Sequence, residues 1–277
     1  MAKENNVRVY GQLVQDPKFM YRQNEEGISR CIIYLKVLSR YLNNPRSENL
    51  LYDVHVILTR NKEMIATMQQ FHAGDMLDVK GVLCTREKTR KYICPVCGNQ
   101  VIKKGHLTYI YPIHVMRVEV LASEQRALHL LREHIEISND ARFIGYLCNA
   151  PEYYSDGDTL KRAQYQIAVG RAYRILEDEA DRKTDFPWVK TVGQQAENDA
   201  KHLTTGSMVY IRGSVRARDL ERKLVCDPEN GGCGAEFEVV ESTMEIAAYS
   251  VEYIANWKHD EDNADVKENE AAEGADS

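Results

Sequence analysis

Four of the seven cysteines fall in two pairs, Cys94/Cys97 and Cys226/Cys233. The first pair reads Cys-Pro-Val-Cys-Gly, ending at Gly98. A CxxC turn lets both sulfurs face one ion, and the glycine behind it relieves the backbone there. Zinc takes four ligands, commonly thiolate or imidazole, in a tetrahedron. The second pair, with Gly234 behind it, is the same half-site with four extra turn-forming residues between its cysteines. Two half-sites make one site of four thiolates, which predicts one structural Zn2+ per chain and on the order of 10 kcal/mol of folding energy linked to it. Two other arrangements stay open. Cys94 and Cys97 could recruit His106 or Cys84, or the half-sites could pair between two chains.

An odd cysteine count with metal-like spacing suits a reducing compartment better than a disulfide framework. Redox use of CxxC wants a strand-to-helix context in a thioredoxin-like fold, which the flanking residues do not offer. A zinc closed by four cysteines is structural rather than catalytic. Cys31, Cys84 and Cys148 read as small core residues. There is no P-loop, HExxH or serine elbow, and no carboxylate cluster outside the C-terminal stretch. Asp53/His55 and His72/Asp75 read as structural pairs. The chain is expected to be a binding protein, not an enzyme.

The elements that must bring the cysteines together occur twice. Gly11 to Pro17 (GQLVQDP) returns as Gly145 to Pro151 (GYLCNAP), and Gly74 to Gly81 (GDMLDVKG) returns as Gly206 to Gly213 (GSMVYIRG). The offsets are 134 and 132 residues, so the order holds across a whole domain. A repeat this long means two copies of one fold, not a solenoid, whose periods run roughly 20–50 residues.

Within the first copy, alternation predicts strands at 7–14, 27–41, 50–59, 76–83 and 107–121. A helix is predicted over 61–71, with Met64, Ile65, Met68 and Phe71 at helical spacing and Gly74 stopping it. The second copy repeats this order, with strands at 142–148, 161–174, 186–192, 208–218 and 236–254 and a helix at 194–203. Three strands, a helix and two strands is the order of an OB-fold, a five-stranded Greek-key barrel. The predicted class is all-β: an OB-fold over 1–121, a linking helix over 122–138 with Leu128, Leu131 and Ile135 on its packed face, and a second OB-fold over 139–256. Residues 257–277 are acidic, poor in apolar groups and expected to be disordered.

At this point the residues resemble a known family. Phe186 to Glu197 (FPWVKTVGQQAE) and Leu203 to Gly213 (LTTGSMVYIRG) are similar to the third strand, helix and fourth strand of the bacterial single-stranded DNA-binding protein. Gly11 to Pro17 matches the family's first strand, and Ile167 to Arg171 its second. The resemblance implies single strands stacked on aromatic residues and held by basic ones. By position it puts Trp188 on the third-strand tryptophan and Tyr173 on the aromatic ending the second strand. Tyr41 takes that second-strand place in the first copy, with Tyr52 as the third-strand candidate. Arg86 and Arg218 fall just after the fourth-strand glycine. The chain departs from the family at Val192 and Leu220, where the family is aromatic, and in fusing two folds. Its end, Glu273 to Ser277, carries no apolar tip.

The residue types suit a single strand on their own account. Stacking contributes roughly 1–3 kcal/mol per base and is indifferent to sequence. Basic side chains add a salt-dependent term through counterion release. Arg30, Lys36 and Arg40 interleave with Tyr34 and Tyr41, and Arg86, Lys88 and Arg90 follow the fourth strand. Arg216, Arg218, Arg222 and Lys223 occupy the equivalent region of the second copy. OB-folds bind oligonucleotides across strands two and three and between the loops after strands one and four.

The whole-chain charge hides this. Of the net −6, residues 260–277 carry eight acids and one lysine, a net of −7, which leaves +1 for residues 1–259. The acidic end either is a solvated extension or competes with DNA for the basic faces. No run of 18 apolar residues exists, and the start lacks an apolar signal core, so a cytoplasmic protein without a membrane segment is expected. The expected function is sequence-independent binding and protection of single-stranded DNA in replication, recombination or transfer, with proteins of those processes as partners and a dimer presenting four faces. The alternatives are an OB-fold scaffold subunit of such a complex, or an RNA-binding module.

Overall fold

The computed structural model describes residues 3–22, 27–39, 50–157, 160–173, 175 and 183–255. The first copy runs β1 (Glu4–Leu13), β2 (Lys18–Tyr21), β3 (Ile28–Leu38), β4 (Tyr52–Thr59), α1 (Lys62–Met68), β5 (Met76–Ile93) and β6 (Gln100–Glu119). Two short helices, α2 (Glu124–Glu133) and α3 (Ile135–Ser138), lead to the second. That copy runs β7 (Asn139–Leu147), β8 (Glu152–Ser155), β9 (Lys161–Gly170), β10 (Thr184–Asp185), β11 (Trp188–Val192), α4 (Gly193–His202), β12 (Met208–Val225) and β13 (Glu236–Ala255).

Each copy closes in the same way. β1 lies antiparallel to β3 and β5, β5 to β6, and β4 meets β6 in parallel at Ile57 and Ile110. β7 lies antiparallel to β9 and β12, β12 to β13, and β11 meets β13 in parallel at Val189 and Ile246. Both are OB-folds. Alternation drives the closure: Ile33, Leu35 and Val37 turn inward on β3, as do Tyr165, Ile167 and Val169 on β9. Asn61 caps α1, its Oδ1 accepting the Met64 N–H at 2.9 Å. The repeated glycines have a steric reason. A Cβ on Gly81 would stand 2.3 Å from the Tyr111 carbonyl oxygen, and one on Gly213 2.5 Å from that of Ala247. Each glycine sits at a register shift of its hairpin.

The two barrels share an edge. β1 pairs antiparallel with β7 from Glu4↔Ile144 to Val9↔Asn139, so one 13-stranded sheet passes through both. The contacts beside it are reciprocal. Buried Asn5 donates to the Leu83 carbonyl at 2.9 Å and accepts the Leu83 N–H at 2.8 Å. Buried Asn139 does the same to Val215, at 2.7 and 2.9 Å. Across the junction, Asp53 accepts the Ala217 N–H and Asp185 accepts the Thr85 N–H. His55, with no exposed surface, donates from Nε2 to the Val215 carbonyl at 2.9 Å.

Several expectations shift. Residues 86–106 and 219–241 form two-stranded arms beyond the barrels. Their charged side chains gave no buried periodicity to read, so the fourth strand of each copy and the fifth of the first run past their expected bounds, whereas the fifth of the second, Glu236–Ala255, matches the 236–254 expected of it. The strands β2, β8 and β10 are short edge pieces, and β8 is exposed along its length, so they left no alternation. The face of α2 that packs is Ala127, Leu130 and Leu131, against Tyr10, Leu38 and Met76 of the first barrel, whereas Leu128 is only half-buried. Cys31 and Cys84 are buried as expected, but Cys148 follows the end of β7 and is exposed. The acidic segment 257–277 lies outside the described residues. Among the described residues, no helix is long and apolar enough to cross a membrane.

Two outcomes follow from this packing. Gly213→Ala should cost about 1–3 kcal/mol, the usual range for overpacking, while Gly105→Ala, whose Cβ would meet nothing closer than 3.9 Å, should be nearly silent. Thermal unfolding of the two variants compares them directly. Burial holds His55 neutral, pushing its pKa down to about 4. An unfolded histidine titrates near 6.5, so the unfolded chain takes up this proton first as pH falls. The contribution is intact above about 6.5, is lost progressively down to about 4, and totals about 3 kcal/mol. Urea midpoints at neutral and acidic pH should show it, and His55→Leu should remove that part of the pH dependence.

Candidate metal centre and nucleic-acid interface

Each arm ends in a cysteine turn of the same build. The Cys94 N–H bonds the Asn99 carbonyl and the Gly98 N–H returns to the Cys94 carbonyl. In the other arm, the Cys226 N–H bonds the Ala235 carbonyl and the Gly234 N–H returns to the Cys226 carbonyl. Gly98 and Gly234 take φ 75° and 76°, a left-handed conformation that glycine adopts without cost. The extra residues of the second turn loop out as a single 3-10 turn, Pro228–Asn230.

The arms meet at these turns. All four sulfurs, from Cys94, Cys97, Cys226 and Cys233, lie within 4.8 Å of one another. Cys94 Sγ is 3.7 Å from Cys233 Sγ, and Cys97 Sγ is 3.6 Å from Cys226 Sγ. A tetrahedral zinc with bonds of about 2.3 Å sets sulfur–sulfur edges of about 3.8 Å, so the four residues fit a metal ion in spacing and donor type. The backbone N–H of Cys97, then that of Val96, pulls the Cys94 thiol down to about 7. The Cys233 N–H favours the Cys226 thiolate, but desolvation and the sulfurs of Cys97 and Cys94 prevail and push it up to about 12. Four thiols this close cannot all ionise without a cation among them. Asn99 also donates to the Gly231 carbonyl and Tyr92 to Glu241, tying arm to arm. Cys84 lies buried in the first barrel and His106 lines a cavity that none of the four cysteines lines, so within the chain it is the two cysteine pairs that come together.

Between the first arm and the face of the second barrel is a cavity of about 370 Å³. Trp188, 40% exposed, stands in it with Phe186, Lys190 and Arg218 beneath and Arg90 reaching over from the arm. A second hollow of about 340 Å³, lined by Tyr153, Tyr154 and Arg162, shares Gln164, Lys190 and Arg218 with the first, so the two form one groove. The Arg162 guanidinium lies over the Tyr154 ring at 4.9 Å. Burial pulls the Lys190 ammonium below its ordinary pKa, although Glu245 opposes this.

The first barrel presents charge instead. Arg30 is pulled below the usual arginine range by burial, then by the positive charges of Arg60, Arg86 and Arg22. Arg30, Tyr34 and Lys36 point outward on β3, with Lys36 Nζ 4.3 Å over the Tyr52 ring. Tyr52 itself packs against the cluster under α2. The register places Val56, not Tyr52, at the position of Trp188, because Ile33↔Ile57 matches Tyr165↔Val189 at a shift of 132. Lys88 lies on the exposed first arm, Arg216 is half-buried on β12 and Tyr173 is exposed after β9. Arg40 and Tyr41 lie outside the described residues. Sequence reasoning missed Phe186 and Lys190, although both alternate with Trp188 and so share its side. It missed Tyr153 and Tyr154 because the short, exposed β8 leaves no alternation, and Glu241 and Glu245 because only the folded arm brings them to the cavity.

In sequence and fold the chain resembles the bacterial-type single-stranded DNA-binding protein family. Residues 138–225 match the model of the single-strand binding protein family. Single-stranded DNA-binding protein 1 of Staphylococcus aureus is 29% identical over 85 residues, which cover 31% of this chain and 53% of that protein. The chain thus spans about half the length of the curated relatives it matches. Two crystal structures of the single-stranded DNA binding protein from Thermus aquaticus, a deletion variant and the wild type, superpose over 91% of this chain. The deletion variant is covered to 96% with 17% identity and a TM-score of 0.57, and the wild type to 94% with 14% and 0.56. At this identity the likeness concerns the fold of both barrels. The family's sequence signature falls in the second barrel, which also holds Trp188.

The sulfur geometry makes a direct forecast. Purified chain should carry one metal ion, and Cys226→Ser should lose it while also lowering the unfolding temperature. Metal analysis after gel filtration checks this, and two ions per chain, or an ion indifferent to the substitution, would contradict a shared site.

Proposed function

We propose that this chain binds single-stranded DNA without sequence preference, through one face on each OB-fold, with a structural zinc holding the two faces in register. The observation that carries this reading is the groove of the second barrel. An exposed tryptophan stands at the start of its third strand, flanked by Phe186, Lys190, Arg162 and Arg218. The groove presents both π-faces and cations, which is what a flexible strand offers partners for. Duplex DNA keeps its base faces stacked and cannot use such a surface.

The two modules of this reading are residues 1–121 and 139–256, with 122–138 as the connector. Arg30, Lys36, Arg40, Arg86 and Lys88 serve phosphates on the first face, with Tyr41 and Tyr52 beside them, and Arg90 serves a phosphate from the first arm above the second. Trp188 and Tyr173 serve bases on the second, with Arg216 and Arg218 for phosphates. A zinc closed by four thiolates supplies no chemistry beyond fixing the arms, and no reaction is assigned. Such a protein would cover exposed strands during replication, recombination or transfer in a reducing cytoplasm, and a dimer would present four faces.

Titration with oligo(dT) tests the reading, using quenching of Trp188 and Trp257. Wild-type affinity should fall steeply with salt. Trp188→Ala should weaken binding by about 1–3 kcal/mol with little change in the salt slope. The double change Arg30→Ala and Arg86→Ala should flatten the slope by about 0.7 per lost phosphate contact. Tighter binding to duplex than to oligo(dT) would refute single-strand binding, oligo(dT) affinity unchanged by loss of Trp188 and both arginines would place the strand elsewhere on the chain, and no affinity for oligo(dT) at all would point to a protein-binding scaffold.

A further inference from the structure

The two faces treat their cations differently. In the second barrel, Glu245 is 2% exposed and holds both Lys190, at 3.2 Å, and Arg218, at 2.9 Å. Glu241 is 7% exposed, pairs with Arg222 at 3.3 Å, and accepts the Tyr92 hydroxyl from the other barrel's arm. Both carboxylates line the cavity in which Trp188 stands.

The duplication supplies an internal comparison. Arg86 faces Leu107 and Arg218 faces Thr243 across equivalent hairpins. This register puts Arg86 and Arg90 at the places of Arg218 and Arg222, but Gly105 and Tyr109 at those of Glu241 and Glu245. The arginines are duplicated and the acids are not. On the first face, the neighbours that act on Arg30 are the cations Arg60, Arg86 and Arg22.

We propose that Glu241 and Glu245 are built-in competitors of phosphate, so that a single strand engages the first barrel before the second. This rests on the single-strand reading above. A phosphate arriving at Lys190 or Arg218 meets a cation already neutralised. It cannot displace the carboxylate without leaving a buried charge unpaired, which is costly, so it must share the cation. Fewer counterions are released there than at the first face, and the second face leans on stacking with Trp188.

Oligo(dT) affinity between about 50 and 200 mM salt tests this in Glu245→Gln, Glu241→Gln and Gly105→Glu, with thermal unfolding and metal content confirming each fold. Both glutamine variants should bind more tightly than wild type at low salt, with a slope steeper by about 0.7 for each cation released. Gly105→Glu, which installs the acid opposite Lys88 and diagonal to Arg90, as Glu241 is to Arg222, where a side chain fits, should bind more weakly with a flatter slope. Should Glu245→Gln fail to fold, the other two carry the test. Folded glutamine variants with wild-type affinity and slope, or an unaffected Gly105→Glu, would overturn the competitor role alone. A wild-type chain with no salt-dependent affinity for oligo(dT) would overturn the single-strand reading and this inference with it.

Discussion

The pairing of β1 with β7 sets the rest of the molecule. Two edge strands, each already bound on its other side to its own barrel, exchange backbone hydrogen bonds from Glu4 to Val9. This removes the unpaired edge that a lone barrel would expose. Buried polar groups on either side hold the register. Asn5 and Asn139 each satisfy both backbone groups of one residue, Leu83 and Val215, and a one-residue slip would leave those groups unpaired in the interior. Because the pairing is antiparallel and the copies are alike, it imposes an approximate two-fold relation on everything beyond it. Asp53 reaches Ala217 and Asp185 reaches Thr85 for the same reason.

That relation explains why the arms need the sulfurs. A two-stranded hairpin is marginally stable in water on its own, and most of each arm carries charged, exposed side chains with little apolar surface to bury. The two-fold relation sends both arms to a common point, where the cysteine turns converge. An ion held by four sulfurs there would contribute what the hairpins lack. It would also fix how far Arg90 and Tyr92 reach over the second barrel, so the cavity around Trp188 depends on an anchor at the arms' far end. The short Tyr92–Glu241 contact ties the two ends of this arrangement together.

Much of this was legible in the chain because duplication is legible. Gly81 and Gly213 repeat where a Cβ would strike a neighbouring carbonyl, and inward alternation on β3 and β9 marked the barrel strands. The cysteine pairs marked two half-sites by residue type and spacing, with a shared site as the preferred of three arrangements. The arms were not legible past Leu83 and Arg218 or before Leu107, because a hairpin exposed on both sides has no hydrophobic period, and only the returning strand of the second, from Glu236, was read. The third-strand aromatic of the first copy was misplaced at Tyr52, because without the pairing register nothing tied Val56 to Trp188. The acids were overlooked for a related reason. Glu241 and Glu245 belong to no sequence motif, and only the fold buries them beside Lys190 and Arg218.

The divergence of the two faces has a physical logic. Clustered arginines act at a distance, speed encounter and weaken with salt. A tryptophan acts only on contact and is far less sensitive to salt. The first barrel has Val56 where the second has Trp188, and Leu58 where the second has Lys190, so on the proposed reading its face would rest on charge. The second barrel has the tryptophan and pairs its cations internally, so its face would rest on stacking. Held in fixed register, the two would act on one strand at a high effective concentration. A strand drawn in by charge at the first face would be presented to the second without a further search. Identical faces would double one kind of interaction. Unequal ones would separate capture from retention within a single chain.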